Sequence, residues 1–256
     1  MSSHAVEHPT QTSGTDANAP EVSLPGAGGR LVNASCRALD IVVSAALLIL
    51  ASPLLLALAI AIRIDSRGPA IFRQERIGRA RKPFTVNKFR SMQVGSTHET
   101  HREFVLTLIK GEPHEHLVSG DERAGGADGD DRAGGDAPLF YKMISDPRVT
   151  RVGRLLRRSS FDELPQLWNV LRGDMSLVGP RPPIPYEVEH YPAEWLARFA
   201  VKPGITGLWQ VSGRSTVTVA EMVRLDIEYA QRRTVWLNMW ILLRTIPAVL
   251  STRGAW

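Results

Sequence analysis

The sequence predicts a mainly helical α+β chain inserted in a membrane. Three features predict it: an apolar run from Ile41 to Ile62, a β-hairpin pattern between Ala70 and Met92, and amphipathic helical stretches from Arg148 onward. The expected parts are a re-entrant membrane helix hairpin, a small β-hairpin, and a helical domain carrying helices that lie at the membrane interface. The expected boundaries are a disordered tail over 1–30, a membrane-inserted helix over 31–64, and a cytosolic-face domain over 65–256 with an unfolded loop around 118–138.

The tail is rich in Ser, Thr, Pro, Gly and Ala and has no apolar period, which is the composition of a segment unable to bury a core. The apolar run that follows holds 13 Leu, Ile or Val residues between Asp40 and Arg63. At roughly −0.3 to −0.6 kcal/mol each, they favour the bilayer by several kcal/mol. A run of this length suffices to span. The long polar stretch before it and the dense positive charge after it argue against a cleaved signal peptide.

Ser52-Pro53 stands at the middle of the run. Proline removes a helix hydrogen bond and crowds the preceding turn, so a bend is expected there. A kinked span and a re-entrant hairpin both satisfy that constraint. Arg63, Arg67, Arg73, Arg76, Arg79, Arg81 and Lys82 follow the run and place the next domain in the cytoplasm by the positive-inside rule. Arg30 and Arg37 precede it and favour both ends on that side, hence the hairpin.

Between Ala70 and Met92, β-branched and aromatic residues flank Gly78 and a basic turn, the pattern of a β-hairpin. A helix is expected within 93–117. Residues 120–138 are low-complexity and read as unfolded. Arg148 to Arg158 places Val149, Val152, Leu155 and Leu156 on one face, with arginines around the other. A second helix is expected from Ser160 through Leu171, and residues 179–185 read as a loop. The glycine-punctuated stretch Lys202 to Gly213 is expected to be irregular, and Val219 to Arg233 helical. In Val235 to Leu250, Arg244 offsets the apolar gain, so no second span is expected. With Trp236 and Trp240, that stretch fits either an interfacial helix or a core-packing one.

The chain carries 31 Lys and Arg against 26 Asp and Glu, a net charge of +5 that suits phosphate-bearing partners. Its single cysteine, Cys36, excludes an intrachain disulfide framework. The seven histidines lack the spacing of a regular metal site. Aromatic residues are not interleaved with the basic cluster from Arg63 to Arg90 as single-strand nucleic-acid binding requires, so no nucleic-acid partner is expected.

Asp162 and Glu163 are the sharpest candidates for chemistry. Ser160-x-x-Glu163 has capping-box spacing, and Pro165 is tolerated in a first helical turn, so the pair can simply satisfy a helix start. The company it keeps points further. Arg151, Arg154, Arg157 and Arg158 precede it, and Lys88, Arg90, Arg181 and Arg214 occupy other short segments bearing Gly or Pro. A helix N-terminus beside guanidinium groups is a phosphate site. A carboxylate held there can attack phosphorus once cations offset the repulsion between anions.

The strings FRQERIGRARKPFTVNKFRSM, DPRVTRVGRLLRRSSFDELPQLWNVLRGDMSLVGPRP and KPGITGLWQVSGR, following an apolar segment with a central Ser-Pro, resemble the bacterial sugar transferase family. These are monotopic polyprenyl-phosphate phosphoglycosyltransferases. The likeness runs from about residue 35 to the C-terminal end, interrupted near 93–140. It implies a re-entrant membrane helix broken at Ser52 and Pro53, and a catalytic domain on the cytoplasmic face of the bacterial inner membrane. It implies Asp162 as nucleophile and Glu163 as its partner, with Mg2+ held at this pair. Arg214 matches the family's phosphate-binding arginine; Arg157, Arg158, Arg181, Lys88 and Arg90 fall in motif positions for phosphate or substrate. The implied reaction takes a sugar 1-phosphate from a UDP-sugar to undecaprenyl or another polyprenyl phosphate, releasing UMP through an aspartyl-phosphosugar. It would be the first membrane step of exopolysaccharide, capsule, O-antigen or glycoconjugate synthesis. The expected partners are the UDP-sugar, the polyprenyl phosphate and the lipid bilayer, with a homodimer left open. The family's larger members carry extra spans before this unit, so the chain reads as the minimal form.

Overall fold

The computed structural model describes residues 29–93, 148–213 and 217–250. Of the tail expected over 1–30, residues 1–28 lie outside the described residues, and Arg30 already opens the first helix; the helix expected within 93–117, beyond residue 93, the loop around 118–138 and Arg214 also lie outside them.

The first helix, α1 (Arg30–Asp65), is 36 residues long and is long and apolar enough to cross a membrane. The break expected at Ser52-Pro53 is not an interruption of this helix, which continues through Pro53. The reason is local. Pro53 has no amide hydrogen for the carbonyl four residues back. Ser52 Oγ donates to that carbonyl, Ile49 O, at 2.8 Å. Val42, Ile49, Leu50, Leu56 and Ile60 are exposed along the outer face.

Both ends of α1 are bonded to one body. Near its start, Arg37 donates to Val170 O (2.5 Å) and Leu171 O (2.7 Å). Asp40 Oδ1 accepts from Ser176 Oγ and Leu177 N, each at 2.9 Å. At its far end, Asp65 Oδ2 accepts from Val152 N at 3.0 Å, and Ile62 packs with Phe89 and Leu156.

The predicted hairpin is present. Strand β1 (Ile71–Ile77) pairs antiparallel with β2 (Pro83–Phe89), from Ile71 opposite Phe89 to Ile77 opposite Pro83. Alternation along β2 turns Val86 inward to the core. The predicted helix after Arg148 is α2 (Arg151–Ser159), capped by Thr150, whose side chain accepts from Gly153 N at 3.0 Å. A 3-10 turn, Phe161–Glu163, leads into α3 (Gln166–Arg172).

The stretch expected to be irregular is built otherwise. Strand β3 (Ser176–Val178) pairs in parallel with β4 (Gly204–Thr206), and α5 (Leu208–Ser212) follows directly. Its glycines allow close backbone packing rather than loose chain. A Cβ on Gly204 would lie 2.0 Å from Gly179 N, closer than any side chain permits. A short helix α4 (Pro185–Val188) and a 3-10 stretch over Ala193–Ala200 connect the two strands.

The last two helices, α6 (Val219–Arg232) and α7 (Val235–Leu250), match their predicted spans. A full capping box opens α6: Glu221 N donates to Thr218 Oγ1 at 3.2 Å, and Thr218 N donates to Glu221 Oε2 at 3.0 Å. One face of α7 enters the core through Ile241 and Asn238, while Trp236, Leu243 and Ile246 remain exposed. Val170, Met175, Val178, Tyr229 and Ile241 form the centre of the core. At about 1.5–3 kcal/mol for each large apolar side chain removed from water, this cluster is what holds α3, β3, α6 and α7 together.

Candidate active site

Asp162 and Glu163 occupy the 3-10 turn between α2 and α3, both half-buried. The turn is possible because Ser160 ends α2 in the left-handed region, at φ 57°. Its amide closes on Arg157 O and its carbonyl accepts from Glu163 N at 3.2 Å. The capping box expected between Ser160 and Glu163 is not formed, since Ser160 makes no side-chain cap bond. Glu163 is turned to β2 instead, where Lys88 Nζ reaches Glu163 Oε1 at 2.9 Å. The ion pair wins because α3 already has Pro165 at its start, leaving fewer amides for a side-chain cap.

Lys88 and Glu163 are 75 residues apart, and one buried side chain sets the distance between their elements. Asn169, fully buried in α3, accepts from Asn87 N (3.0 Å) and Asn87 Nδ2 (3.1 Å) through Oδ1. Its Nδ2 donates to Thr85 O at 2.7 Å and Asp174 Oδ2 at 3.3 Å. Both functions of the amide are therefore used, and β2 and α3 are locked in one register. Arg37, from α1, holds the other end of α3 by its terminal carbonyls.

The remaining candidates are placed as follows. Arg157 is half-buried on α2, with Nε on Ser91 Oγ at 3.0 Å; Arg158 is exposed beside it. Arg181 is half-buried, its carbonyl accepting from Arg198 Nη2 at 3.0 Å, and its charge acts on Asp226. Arg90 directly follows β2. It is buried, and its guanidinium donates to Ser66 O (2.6 Å), Ser66 Oγ (2.9 Å) and Arg67 O (2.8 Å). These groups terminate α1, where carbonyls lack helical donors, so Arg90 clamps that end.

Behind Arg181 lies a buried ionic network that sequence reasoning missed. Arg198 Nη2 donates to Asp226 Oδ2 and Nη1 to Tyr191 Oη at 3.1 Å. Burial pushes the Asp226 carboxyl up to about 6, against the opposing pull of Arg198. Burial likewise raises the Tyr191 phenol. Among the described residues, no group of three or more His, Cys, Asp or Glu side chains could hold a metal ion. A two-carboxylate turn fits Mg2+ in the mode that completes its shell with water and substrate phosphates.

Residues 32–252 match the family described as bacterial sugar transferase. The chain belongs to the bacterial sugar transferase family. Among its relatives in this family is the undecaprenyl-phosphate galactose phosphotransferase of Salmonella typhimurium, 40% identical over 220 residues; the match covers 86% of this chain and 41% of the relative. The UDP-glucose:undecaprenyl-phosphate glucose-1-phosphate transferase of Caulobacter vibrioides is 41% identical over 86% of this chain and 71% of its own length. The exopolysaccharide production protein ExoY of Rhizobium meliloti is 36% identical over 86% of this chain and 87% of its own. This bacterial sugar transferase therefore spans well under half of the Salmonella protein and most of the Rhizobium one.

Proposed function

We propose that this chain transfers a sugar 1-phosphate from a UDP-sugar to a polyprenyl phosphate, undecaprenyl phosphate in bacteria, at the start of an exopolysaccharide or related glycoconjugate. The observation that carries the reading is the Asp162-Glu163 turn, with Glu163 paired to Lys88 and the following helix held by a residue of the membrane helix. The names of the relatives support the acceptor and the class of donor.

In the proposed first step, an Asp162 carboxylate oxygen attacks the phosphorus that bears the sugar. The bond from that phosphorus to the bridging oxygen breaks, and UMP leaves with the electron pair. The sugar phosphate is then held as an acyl phosphate on Asp162. In the second step, an oxygen of polyprenyl phosphate attacks the same phosphorus and the Asp162 carboxylate departs, giving polyprenyl diphosphate-sugar. Splitting the transfer in this way is the usual logic of covalent catalysis. Lys88 holds Glu163 aimed beside the nucleophile. Arg157, Arg158, Arg181 and Arg214 supply the positive field for the diphosphate. Mg2+ held by Asp162, Glu163 and the donor's diphosphate would neutralise charge on the transferring group.

The membrane is the second half of the proposal. A helix crossing straight would carry one end beyond about 30 Å of hydrocarbon. The bonds from both ends of α1 to one body support instead a helix that enters and leaves on the cytoplasmic face, bent at Ser52-Pro53. The exposed Trp236, Leu243 and Ile246 of α7 support a helix at the interface. Proximity of the lipid phosphate to Asp162 would then follow from the fold.

The test uses purified membranes, polyprenyl phosphate, Mg2+ and a panel of UDP-sugars. UMP release is expected with one or more of them, and a labelled phosphosugar should be trapped on the protein when the acceptor is withheld. An Asp162→Asn chain that releases UMP at the normal rate would remove the nucleophile assignment.

A further inference from the structure

Three polar side chains, Glu163, Gln166 and Asn169, recur at every third residue of the run that carries the candidate nucleophile. Leu164 and Pro165 both have right-handed helical backbone, so the 3-10 turn continues into α3 without a break. Residues three and four apart on such a run are neighbours, with Cβ atoms about 5–6 Å apart. The three therefore share one face, the face that meets β2. Glu163 is paired with Lys88, and Asn169 bonds Asn87 and Thr85. Gln166, between them, is only 3% exposed, yet its side chain makes no hydrogen bond to any described residue.

A buried amide without a partner destabilises a fold, and an apolar side chain of the same size would not. The amide is not sealed off, since Nε2 and Oε1 each keep some accessible surface. Helical side chains lean toward the N-terminus, over the residues three and four back. For Gln166 those are Glu163 and Asp162, and it bonds neither. A lysine or arginine at this place would pair with Asp162 and hold it back from phosphorus. A third carboxylate would repel phosphate. A carboxamide is neutral, and it both donates and accepts. A sugar phosphate offers it both counterparts: phosphoryl oxygens that accept and hydroxyls that donate.

We infer that Gln166 binds the sugar phosphate of the donor, as a substrate-binding residue beside Asp162 and Glu163. Nε2 donates to an oxygen of the sugar-bearing phosphate, and Oε1 accepts from a sugar hydroxyl. The inference rests on the reaction proposed above for Asp162.

The test is Gln166→Met, close in length and volume, with Gln166→Leu as the second variant, each in the full chain purified in detergent. UMP release is measured with UDP-glucose, UDP-galactose and UDP-N-acetylglucosamine, in the presence of polyprenyl phosphate and Mg2+. Loss of a hydrogen bond to a charged group should lower kcat/KM roughly 10- to 150-fold, or about 1.5–3 kcal/mol. Inhibition by UMP, which lacks the sugar phosphate, should stay within about twofold of the parent. Without ligand, both variants should unfold at the parent's temperature or above it, because the unpartnered amide is gone. A kcat/KM within about twofold of the parent in both variants would overturn the assignment. So would a lower unfolding temperature, or UMP inhibition weakened in step with kcat/KM, since either marks a structural role. A parent chain that releases UMP from none of the three donors would remove the reaction itself, and this inference with it.

Discussion

Lys88 Nζ on β2 stands 2.9 Å from Glu163 Oε1 in the turn before α3, with the two side chains 25% and 33% exposed. A contact this short between partly exposed groups adds little to folding. Its value is positional, because it fixes the direction of the carboxylate next to Asp162.

Lys88→Met should therefore leave the unfolding temperature almost unchanged and lower kcat for UMP release. A charge-assisted hydrogen bond of about 1.5–3 kcal/mol corresponds to a loss of roughly 10- to 150-fold. Equal kcat for parent and variant would show that Glu163 is aimed by something else.

Asn169 should act through that same pair. Asn169→Leu leaves Asn87 and Thr85 backbone groups without their buried partner, at a cost of about 1–3 kcal/mol each. Stability should fall by that order whichever residue stands at position 88. The loss of kcat should be large in the parent and small in a Lys88→Met background. That non-additivity separates positioning from general loosening. Asn87→Ala, which removes only one of the four contacts, should show the same pattern at lower amplitude.

Arg90 should behave as a fold residue. Arg90→Lys retains the charge but loses the fork that reaches Ser66 and Arg67 together. The expected result is a stability loss of about 1–3 kcal/mol in denaturant titration. The KM for the donor should stay within about twofold of the parent, since no substrate contact is removed.

The Arg198–Asp226 pair makes stability depend on pH. The folded chain holds Asp226 up to about 6, above its ordinary 3.8, so it keeps a proton that the unfolded chain releases. The corresponding stability is complete below about pH 3.8 and is lost as pH rises through about 6. Arg198→Met removes the cation that limits the loss. The variant should be less stable by about 3–5 kcal/mol near pH 8. Its deficit should shrink near pH 5, where the carboxyl can remain protonated. A deficit constant across that range would exclude Asp226 as its cause.

What was legible in the sequence followed from periodicity and composition. The apolar run, the alternation around Gly78 and the periodicity of α2, α6 and α7 each show in the sequence, and their spans agree with the structure, though most of the apolar run and Leu155 on α2 are exposed rather than buried. The parallel pairing of β3 with β4 was not legible, because three-residue strands have too few positions to show a period. The Ser160–Glu163 spacing misled because a capping box and a turn-borne ion pair share one pattern, and only the distant Lys88 separates them. Asn169 and Arg198 passed unnoticed for a related reason. Each is polar within an otherwise helical face, and its partners lie far along the chain. Asp40 was read as the edge of the apolar run, whereas its buried bonds to Ser176 and Leu177 fasten that edge in place.

The two arginine clamps make α1 inseparable from the rest of the fold. Arg37 closes the helix that follows the Asp162 turn, and Arg90, two residues beyond Lys88, closes the far end of α1. Trimming the chain back to the β-hairpin would uncap α3, strand the Arg90 guanidinium in the interior and leave Ser176 Oγ and Leu177 N without Asp40. If α1 enters a bilayer as proposed, solubility has to come from a surrounding amphiphile rather than from truncation.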